Sequence, residues 1–484
     1  MDRRGFLALS LCASGAALLP QARAEGASAA RLTLRPQRTG NPLPADFMGL
    51  SYETAQLNDP RFFSPANTQL AEFLRKLSPS GVLRIGGNTA EYAMWTPVGG
   101  NTESSTSEAA GPDTGTQAPR RTAVTPEAIR NLRDFLDATG WSLLYSLNFG
   151  SESPAVMAEV AAYVVDTIGP KLEVLQFGNE PDLFMRNGVR KPDYGYAQFA
   201  AEWARAYHVV RRRVPHAAIA GPDTADRNDW LVPFARQFKR EAAFLTHHYY
   251  AEGPPSDPAM TIAHLLDPTN PRLVDLLKGI AEARQASGLA LRLAEGNSCY
   301  GGGKPGVSDT FASALWGADL MYQLAAAGAC GVNFHGGGYG WYSPIVGTPA
   351  NGFLARPLYY GMLMFAEGGA GALIDSTLDA ADPLLTAYGL KTADGTVKTA
   401  LFNKNAERSV TLTIEAGMAA TKASVLRLWA PRLDDTADTS FGGAPVGADG
   451  VWTPAVVETL VAQNGTVSVA LPKASAALVR FATV

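Results

Sequence analysis

Two glutamates stand where carboxylates can act as a pair. Glu180 follows the apolar segment 174–178 and is flanked by Asn179 and Pro181, while Glu295 closes a later apolar segment. Glycosidic cleavage uses one protonated carboxylic acid for the leaving oxygen and one ionised carboxylate for the anomeric carbon. A separation of about 5–5.5 Å lets the second carboxylate attack directly, with retention of configuration. The charge of Glu295 would also help keep Glu180 protonated. For either glutamate alone, the alternative is a structural ion pair.

The elements that would hold these carboxylates are strands of a (β/α)8 TIM barrel, an α/β fold. Between about residues 47 and 365, short apolar runs alternate with longer amphipathic ones, which is typical of parallel βα units. Because the strand ends of a barrel meet at one face, Glu180 after the fourth strand and Glu295 after the seventh would lie on roughly opposite sides of its mouth. An open parallel sheet is the alternative. The predicted strands are Met48–Tyr52, Val82–Ile85, Ser142–Asn148, Val174–Gly178, Ala217–Ala220, Phe244–Tyr249, Ala290–Glu295 and Gly331–His335.

The rest of the chain divides around this barrel, which is predicted to cover residues 46–368. Consecutive strand patterns separated by turns predict an antiparallel β-sandwich over 369–484. An alternating segment within 25–45 is predicted to join that sandwich, which would then act as a structural buttress rather than a carbohydrate-binding module. Residues 96–125 are rich in Gly, Ser and Thr without periodicity, and such a long loop is usually functional or disordered.

The first 24 residues have the features of an export signal. Arg3 and Arg4 precede the apolar run 5–19, and an Ala-Arg-Ala sequence ends the segment. This pattern predicts a signal of the twin-arginine type and a periplasmic or extracellular bacterial protein, with no membrane association once the signal is removed. The apolar run is too short for a stable membrane anchor.

Composition excludes several classes of protein. The 484 residues are 46% hydrophobic and 18% charged, which rules out a disordered chain. A formal charge of −4 argues against a nucleic-acid partner. Three cysteines cannot form a disulfide scaffold. Outside the predicted signal, Cys299 and Cys330 are expected to be buried thiols, with a bridge between them as the alternative.

Several of these stretches resemble known glycosidases. The Asn179–Pro181 segment and Glu295 resemble the clan of retaining barrel glycosidases that place the acid/base and the nucleophile after strands four and seven. Four stretches in order are similar to glycoside hydrolase family 79, the β-glucuronidases and heparanases. They are Gly49–Glu53, Asn179–Pro181, Thr246–Tyr250 and Tyr300–Gly303.

This resemblance implies roles for individual residues. Glu180 would be the general acid/base and Glu295 the nucleophile. Asn179 would hydrogen-bond the sugar 2-hydroxyl, a contact that strengthens as the oxocarbenium ion forms. Arg84 stands where the clan keeps an arginine beside the nucleophile, and the alternative for it is a surface arginine. Tyr249 is assigned to support the nucleophile as well.

The family's clamp for the uronate carboxylate is implied at a second group of residues. Tyr300, Gly301 and Gly302 follow the nucleophile, and consecutive glycine N–H groups can form an anion nest while a tyrosine hydroxyl adds a donor. A second tyrosine from the eighth-strand loop is either Tyr339 or Tyr342. An ordinary Gly-rich loop is the alternative.

Three further residues are candidates for contact with sugar hydroxyls. Glu53 at the end of the first strand and Asp113 in the long loop would bind distal hydroxyls. His335 is the third, with a strand-end structural histidine as its alternative.

The expected function is that of a retaining exo-β-glucuronidase that removes terminal β-D-glucuronic acid through a covalent glycosyl-enzyme intermediate. The scattered lysines and arginines argue against an endo-acting, heparanase-like enzyme on heparan sulfate, which is the first alternative. An arabinofuranosidase-like enzyme and a non-catalytic periplasmic carbohydrate-binding protein are the others. A monomer without metal or other cofactors is expected, with a carbohydrate as its partner.

Overall fold

The computed structural model describes residues 28–97, 121–225, 228–337 and 340–483. The predicted export signal over 1–24, Asp113 and Tyr339 lie outside these residues. Strands make up much of the described chain. In chain order they are β1 (Ser28–Leu43), β2 (Met48–Glu53), β3 (Val82–Gly86), β4 (Ala93–Trp95), β5 (Thr122–Val124), β6 (Ser142–Leu147), β7 (Leu172–Phe177), β8 (Ile219–Thr224), β9 (Leu245–Glu252), β10 (Leu291–Cys299), β11 (Ala329–Gly336), β12 (Ile345–Thr348), β13 (Gly352–Ala355), β14 (Gly371–Asp379), β15 (Leu385–Thr392), β16 (Val397–Asn403), β17 (Val410–Glu415), β18 (Ala420–Trp429), β19 (Ser440–Phe441), β20 (Glu458–Val461), β21 (Thr466–Leu471) and β22 (Ser475–Thr483).

The helices of the described chain lie between β2 and β14. They are α1 (Thr68–Leu77), α2 (Pro126–Thr139), α3 (Pro154–Ile168), α4 (Tyr196–Arg213), α5 (Asn228–Gln237), α6 (Ile262–Leu265), α7 (Pro271–Ser287), α8 (Phe311–Ala327) and α9 (Pro357–Gly368), with short 3₁₀ helices at Thr54–Asn58, Asn88–Tyr92, Gly169–Lys171 and Pro181–Leu183. Among the described residues, none of these helices is long and apolar enough to cross a membrane.

Eight parallel strands close into a barrel in the order β2, β3, β6, β7, β8, β9, β10 and β11, with β11 pairing back to β2. The prediction of a closed (β/α)8 barrel is therefore confirmed, and the open-sheet alternative is wrong. Each of the eight predicted strands overlaps one barrel strand. The strands could be recognised in the sequence because a parallel barrel strand is covered on both faces and therefore consists mostly of apolar residues.

Local sequence signals set the helix boundaries. The Thr125 hydroxyl accepts from the N–H of Ala128 at the start of α2, and Ser153 does the same for Val156 in α3. A proline occupies the first position of both helices, where its missing N–H costs nothing. Gly140 ends α2 with a φ of 82°, a left-handed value that suits glycine.

Residues 371–483 form a ten-stranded sheet together with β1 from the N-terminal end. Strand β1 pairs with β14 in the antiparallel sense and with β17 in the parallel sense. The sheet is antiparallel elsewhere. Strands from both ends of the sheet share one hydrophobic core, so the sheet folds over on itself as a two-layered β-domain.

The β-domain packs directly on the barrel. Alternate residues of β22 divide between two cores: Ala476 and Leu478 join the core of the barrel and its helices, whereas Ala477 and Val479 join the core inside the β-domain. Helix α8 is apolar and buried on nearly all sides, because it lies between the barrel strands and this sheet.

Candidate active site

The two predicted carboxyl groups meet at the mouth of the barrel. Glu180 lies just after β7, the fourth barrel strand, and Glu295 lies within β10, the seventh. Both are buried, and one oxygen of each carboxyl lies within 4.8 Å of one oxygen of the other. The backbone of Glu180 is left-handed, with a φ of 50°, a conformation that non-glycine residues rarely adopt.

Arg84, on β3, is fully buried and joins the carboxylates of Glu295 and Asp223. One guanidinium nitrogen, Nη1, donates to Glu295 Oε2 at 2.5 Å. The other, Nη2, donates to Asn179 Oδ1 at 2.7 Å and to Asp223 Oδ2 at 2.7 Å. The predicted role of Arg84 beside Glu295 fits this geometry, and its alternative as a surface arginine is wrong.

Tyr250 rather than Tyr249 contacts the nucleophile candidate. The Tyr250 hydroxyl donates to Glu295 Oε1 at 2.7 Å. Successive side chains of a strand point to opposite sides, so Tyr249 faces the helices outside the barrel, where it packs near Leu265 and Trp316. The assignment of Tyr249 to the support of Glu295 is therefore wrong by one residue.

His248, on the same strand, links the acid/base candidate to a buried carboxylate. Its Nδ1 lies 3.0 Å from Glu180 Oε1, and its Nε2 lies 3.1 Å from Asp223 Oδ1. Asp223 also accepts from Gln176 Nε2. The backbone carbonyl of Asp223 accepts from the N–H of Glu180 at 2.9 Å. This chain of contacts fixes the orientation of the Glu180 carboxyl.

The electrostatic surroundings favour opposite protonation states for the two glutamates. Burial alone would raise the pKa of Glu295, but the charges of His335, His248 and Arg84 outweigh it and hold that pKa well below its usual range. Burial raises the pKa of Glu180, and the negative charge of Glu295 adds to the effect, although His248 opposes it. These surroundings therefore favour the ionised form of Glu295 and the protonated form of Glu180.

The residues expected to bind sugar hydroxyls surround the pair. Asn179, buried next to Glu180, donates from Nδ2 to Asn88 Oδ1 at 3.2 Å. His335 Nδ1 lies 3.4 Å from Glu295 Oε2, and its Nε2 lies 3.5 Å from Glu53 Oε1. The His335 side chain thus connects the nucleophile candidate to Glu53 at the edge of the site.

The predicted carboxylate clamp lies on the side of Tyr250. The ring centroid of Tyr250 is 6.4 Å from that of Tyr300 and 6.2 Å from that of Tyr342. Gly301 and Gly302 follow with φ values of 75° and 89°, which favour glycine. The carbonyl of Gly302 accepts from the N–H of Trp341 at 2.6 Å, so this turn is tied to the loop that carries Tyr342. Of the two tyrosines left open, the described one is Tyr342, and it lies in this cluster.

Glu180, His248 and Glu295 offer three potential metal-ligand atoms within 4.8 Å of one another. The charges around them do not suit a cation. Asp223 and Glu295 raise the pKa of His248 to about 10 against the effect of burial, so its ring keeps both protons near neutral pH and has no free lone pair for a metal. The Arg84 guanidinium already neutralises Glu295. These residues fit proton transfer and nucleophilic attack better than metal binding.

The sequence did not predict a role for three residues of this centre, namely His248, Asp223 and Tyr250. The sequence His247-His248-Tyr249-Tyr250 was visible as a motif, but a motif does not say which side chains point inward. Asp223 is the penultimate residue of β8 and has a φ of 62°, a conformation that only the folded barrel reveals. The two described cysteines are free thiols, with Cys299 buried, which excludes the bridge left open above.

Parts of the chain are similar to known proteins. Residues 387–478 match the model of the glycosyl hydrolase family 79 C-terminal beta domain. A β-glucuronidase of Neurospora crassa is 26% identical over 315 residues, which cover 59% of this chain and 55% of the fungal protein. A β-glucuronidase of Aspergillus niger is 25% identical over 406 residues, which cover 76% of this chain and 73% of that protein. The match thus spans little more than half of the Neurospora relative.

Solved structures share the fold at lower sequence identity. A 4-O-α-L-rhamnosyl-β-D-glucuronidase of Fusarium oxysporum, solved as a Rha-GlcA complex, superposes with a TM-score of 0.71 at 19% identity, covering 92% of this chain and 99% of that one. An arabinofuranosidase superposes with a TM-score of 0.69 at 14% identity, covering 94% of this chain and 100% of the other. These likenesses concern the fold alone.

Proposed function

The chain belongs to glycoside hydrolase family 79, and on that premise we propose that it is a retaining, exo-acting β-glucuronidase. The observation that carries the proposal is the pair formed by Glu180 and Glu295. Their nearest carboxyl oxygens lie within 4.8 Å, and their surroundings move their pKa values in opposite directions. A separation of about 5 Å is the one that allows direct attack by the second carboxylate.

The first half of the reaction forms a glycosyl-enzyme intermediate. A carboxylate oxygen of Glu295 attacks the anomeric carbon while Glu180 gives its proton to the departing glycosidic oxygen. Arg84 and Tyr250 hold Glu295 ionised and oriented through hydrogen bonds of 2.5 and 2.7 Å. As Glu180 becomes anionic, the nearby imidazolium of His248 stabilises the new charge.

The second half releases the sugar. Glu180, now a carboxylate, removes a proton from a water molecule that attacks the anomeric carbon, and the bond to Glu295 breaks. Two inversions at the same carbon give net retention. The Asn179 amide is anchored by Arg84 and Asn88, in a position suited to the sugar 2-hydroxyl.

Selectivity for glucuronic acid is attributed to Tyr300, Tyr342 and the turn at Gly301–Gly302. Hydroxyl and backbone N–H donors can hold a carboxylate without a second arginine. Both terminal nitrogens of the Arg84 guanidinium are already engaged, by Glu295, Asn179 and Asp223. A clamp of this kind suits a terminal uronic acid, and we therefore favour exo action on glycans or glycoconjugates.

Export and a monomeric state complete the proposal. The twin-arginine pattern of residues 1–24 supports a periplasmic or extracellular location. The catalytic pair and its partners Arg84, His248 and Tyr250 come from one barrel, so the proposed mechanism needs no residue from a second subunit. The β-domain shares a core with α8 and α9, and this packing supports a structural role for it.

The test compares p-nitrophenyl β-D-glucuronide with the corresponding β-glucoside and β-galactoside, using the wild type and Glu295→Gln. Release of nitrophenol from the glucuronide alone, and its loss in the variant, is the expected result. Cleavage of the neutral glycosides as well would contradict the carboxylate clamp. No turnover of any of the three would contradict exo action, and digestion of heparan sulfate would then distinguish an endo-acting enzyme from a binding protein.

A further inference from the structure

Glu91 is a buried carboxyl group that the mechanism above does not use. It belongs to the 3₁₀ helix Asn88–Tyr92, which follows the second barrel strand, and it is 3% exposed. Its carboxyl group contacts the backbone of Asn179, next to Glu180. Burying a carboxyl group costs free energy unless its oxygens accept hydrogen bonds.

Both carboxyl oxygens of Glu91 accept hydrogen bonds from the backbone of neighbouring loops. Oε1 accepts from the N–H of Asn179 at 2.5 Å. Oε2 accepts from the N–H of Gly150, in the loop after β6. The Glu91 carbonyl oxygen also accepts from Ser151 Oγ at 2.8 Å. One side chain thus joins the loops that follow three consecutive barrel strands, β3, β6 and β7.

The backbone around Glu91 leaves room for its carboxyl group and for little else. A Cβ atom at Gly178 would lie 2.7 Å from Glu91 Oε1, and one at Gly150 would lie 2.6 Å from Oε2. Gly178 has a φ of 76°, so its conformation also favours glycine. The fit indicates that the carboxyl group and the two glycines form one packed unit.

The turn that Glu91 holds is a strained one. Glu180 adopts a left-handed φ of 50°, which non-glycine residues rarely adopt and which persists only when the surroundings fix it. Two contacts fix the backbone here: the Asn179 N–H bonds to Glu91, and the Glu180 N–H bonds to the carbonyl of Asp223. Without the first contact, the chain could relax and carry the Glu180 carboxyl out of reach of the glycosidic oxygen.

We propose that Glu91 is a positioning residue for the general acid/base, because it clamps the N–H of Asn179 and thereby holds Glu180 in its strained, productive orientation. The inference rests on the proposed function, since it assigns Glu180 the acid/base role. Glu91 itself touches neither the sugar nor the reacting atoms. Its effect is exerted through the backbone of the turn.

The charge state of Glu91 is compatible with this role. Burial raises its pKa to about 8, against the opposing effects of its backbone hydrogen bonds and of the Arg190 guanidinium. Either protonation state leaves a lone pair on each oxygen, so both backbone N–H groups keep an acceptor. A glutamine at this position would present its NH₂ group to one of the two N–H donors, which leaves that donor unpaired.

The test uses the dependence of the rate on the leaving group. A dinitrophenyl leaving group needs almost no protonation, whereas a phenyl or sugar leaving group needs the acid. We would measure kcat and KM for 2,4-dinitrophenyl and phenyl β-D-glucuronides with the wild type, Glu91→Gln, Glu91→Ala and Glu180→Gln. Glu127→Gln, an exposed position on α2, is the matched control for loss of a carboxylate.

Glu91→Gln is expected to lose roughly tenfold or more of kcat/KM on the phenyl substrate, within the range that general acid catalysis supplies, and much less of kcat/KM on the dinitrophenyl substrate. The comparison uses kcat/KM because this constant reports the first step, whereas kcat on the dinitrophenyl substrate also reports the second step, in which Glu180 acts as the base. The melting temperature of the variant should stay near that of the wild type. An equal loss of kcat/KM on both substrates, or no loss, would overturn the inference. If Glu180→Gln itself lacks leaving-group dependence, the acid/base assignment fails instead.

A second variant covers the case in which Glu91→Ala and Glu91→Gln do not fold. Glu91→Asp keeps the carboxylate but withdraws it by one methylene group. In this variant we expect faster hydrogen exchange at the N–H of Asn179, together with a loss of activity confined to the phenyl substrate. Unchanged exchange at that amide would contradict the clamp.

Discussion

At the scale of single residues, function depends on keeping two neighbouring carboxyl groups in different protonation states. Glu295 is surrounded by Arg84, His248 and His335, whose charges lower its pKa. Glu180 faces His248 but also the negative charge of Glu295, and burial raises its pKa. The same residues that contact Glu295 therefore favour an ionised Glu295 beside a protonated Glu180, which are the states that the proposed mechanism requires.

This separation predicts a definite pH dependence. Activity requires Glu180 protonated and Glu295 ionised, so it should fall as the pH rises through the raised pKa of Glu180. On the acid side, activity should persist to low pH, because the pKa of Glu295 is held below its usual range. The pH profile of kcat/KM would check both limits.

In Glu295→Gln, loss of the negative charge should lower the pKa of Glu180, as measured by infrared titration of its carboxyl band. An unchanged or higher pKa in that variant would show that the two carboxyls are not coupled.

Substitutions of the adjacent residues Tyr249 and Tyr250 test which of the two tyrosines supports Glu295. Tyr250→Phe removes the hydrogen bond to Glu295 Oε1, and a hydrogen bond to a charged group is worth about 1.5–3 kcal/mol, or roughly a ten- to hundredfold lower kcat/KM. Tyr249→Phe is the matched control, because Tyr249 faces the outer helices and should leave kcat/KM nearly unchanged. Steady-state kinetics on p-nitrophenyl β-D-glucuronide would reveal the difference. Equal effects from the two variants would refute the assignment.

At the scale of secondary-structure elements, the strands were predictable and the direction of some side chains was not. Apolar residues predominate in the segments 174–178 and 290–294 that lead to Glu180 and Glu295, so both glutamates could be placed from the sequence. The pairing of β10 with β9 shifts in register between Leu293 and Glu295. Because register depends on partner strands that the local sequence does not specify, counting along β9 could not distinguish Tyr249 from Tyr250.

Helix α8 depends on a buried ion pair with the β-domain. Asp319 on α8 binds Lys404 Nζ, and it also accepts from the hydroxyls of Thr386 and Tyr388 at 2.8 and 2.7 Å. Lys404→Met should lower the free energy of unfolding by about 3–5 kcal/mol, because it leaves the buried Asp319 carboxylate without its cation. Urea denaturation would measure the change. The double variant Asp319→Leu/Lys404→Met should recover part of the loss, and a neutral result for Lys404→Met alone would contradict the role of the pair.

At the scale of the whole molecule, the two ends of the chain build one β-domain that supports the barrel. The alternating pattern near residue 31 predicted that the N-terminal strand would join the domain. Its parallel pairing with β17 was not predictable, because the partner lies nearly 400 residues away in the sequence and the choice depends on packing in three dimensions. Similarly, the contact between Glu91 and Asn179 joins loops whose approach only barrel closure creates.

This architecture predicts that the barrel does not fold without its β-domain. A chain ending at residue 368 would leave β1 without β14 and β17 and would expose the apolar faces of α8 and α9. Such a truncated protein should be insoluble or aggregate, because exposed apolar patches and unpaired strand edges promote association. Solubility and gel filtration would check this. A soluble, active barrel would favour the alternative that the β-domain is a dispensable carbohydrate-binding module.

The most direct test of the central claim follows the first sugar released from p-nitrophenyl β-D-glucuronide by proton NMR. A double displacement by Glu295 and water must give β-D-glucuronic acid first, with the α-anomer appearing later by mutarotation. The wild-type protein is therefore expected to show the β-anomeric signal at early times, and Glu295→Gln to show no release. The α-anomer as the first product would contradict the retaining mechanism, and an absence of hydrolysis by the wild type would contradict the proposed activity itself.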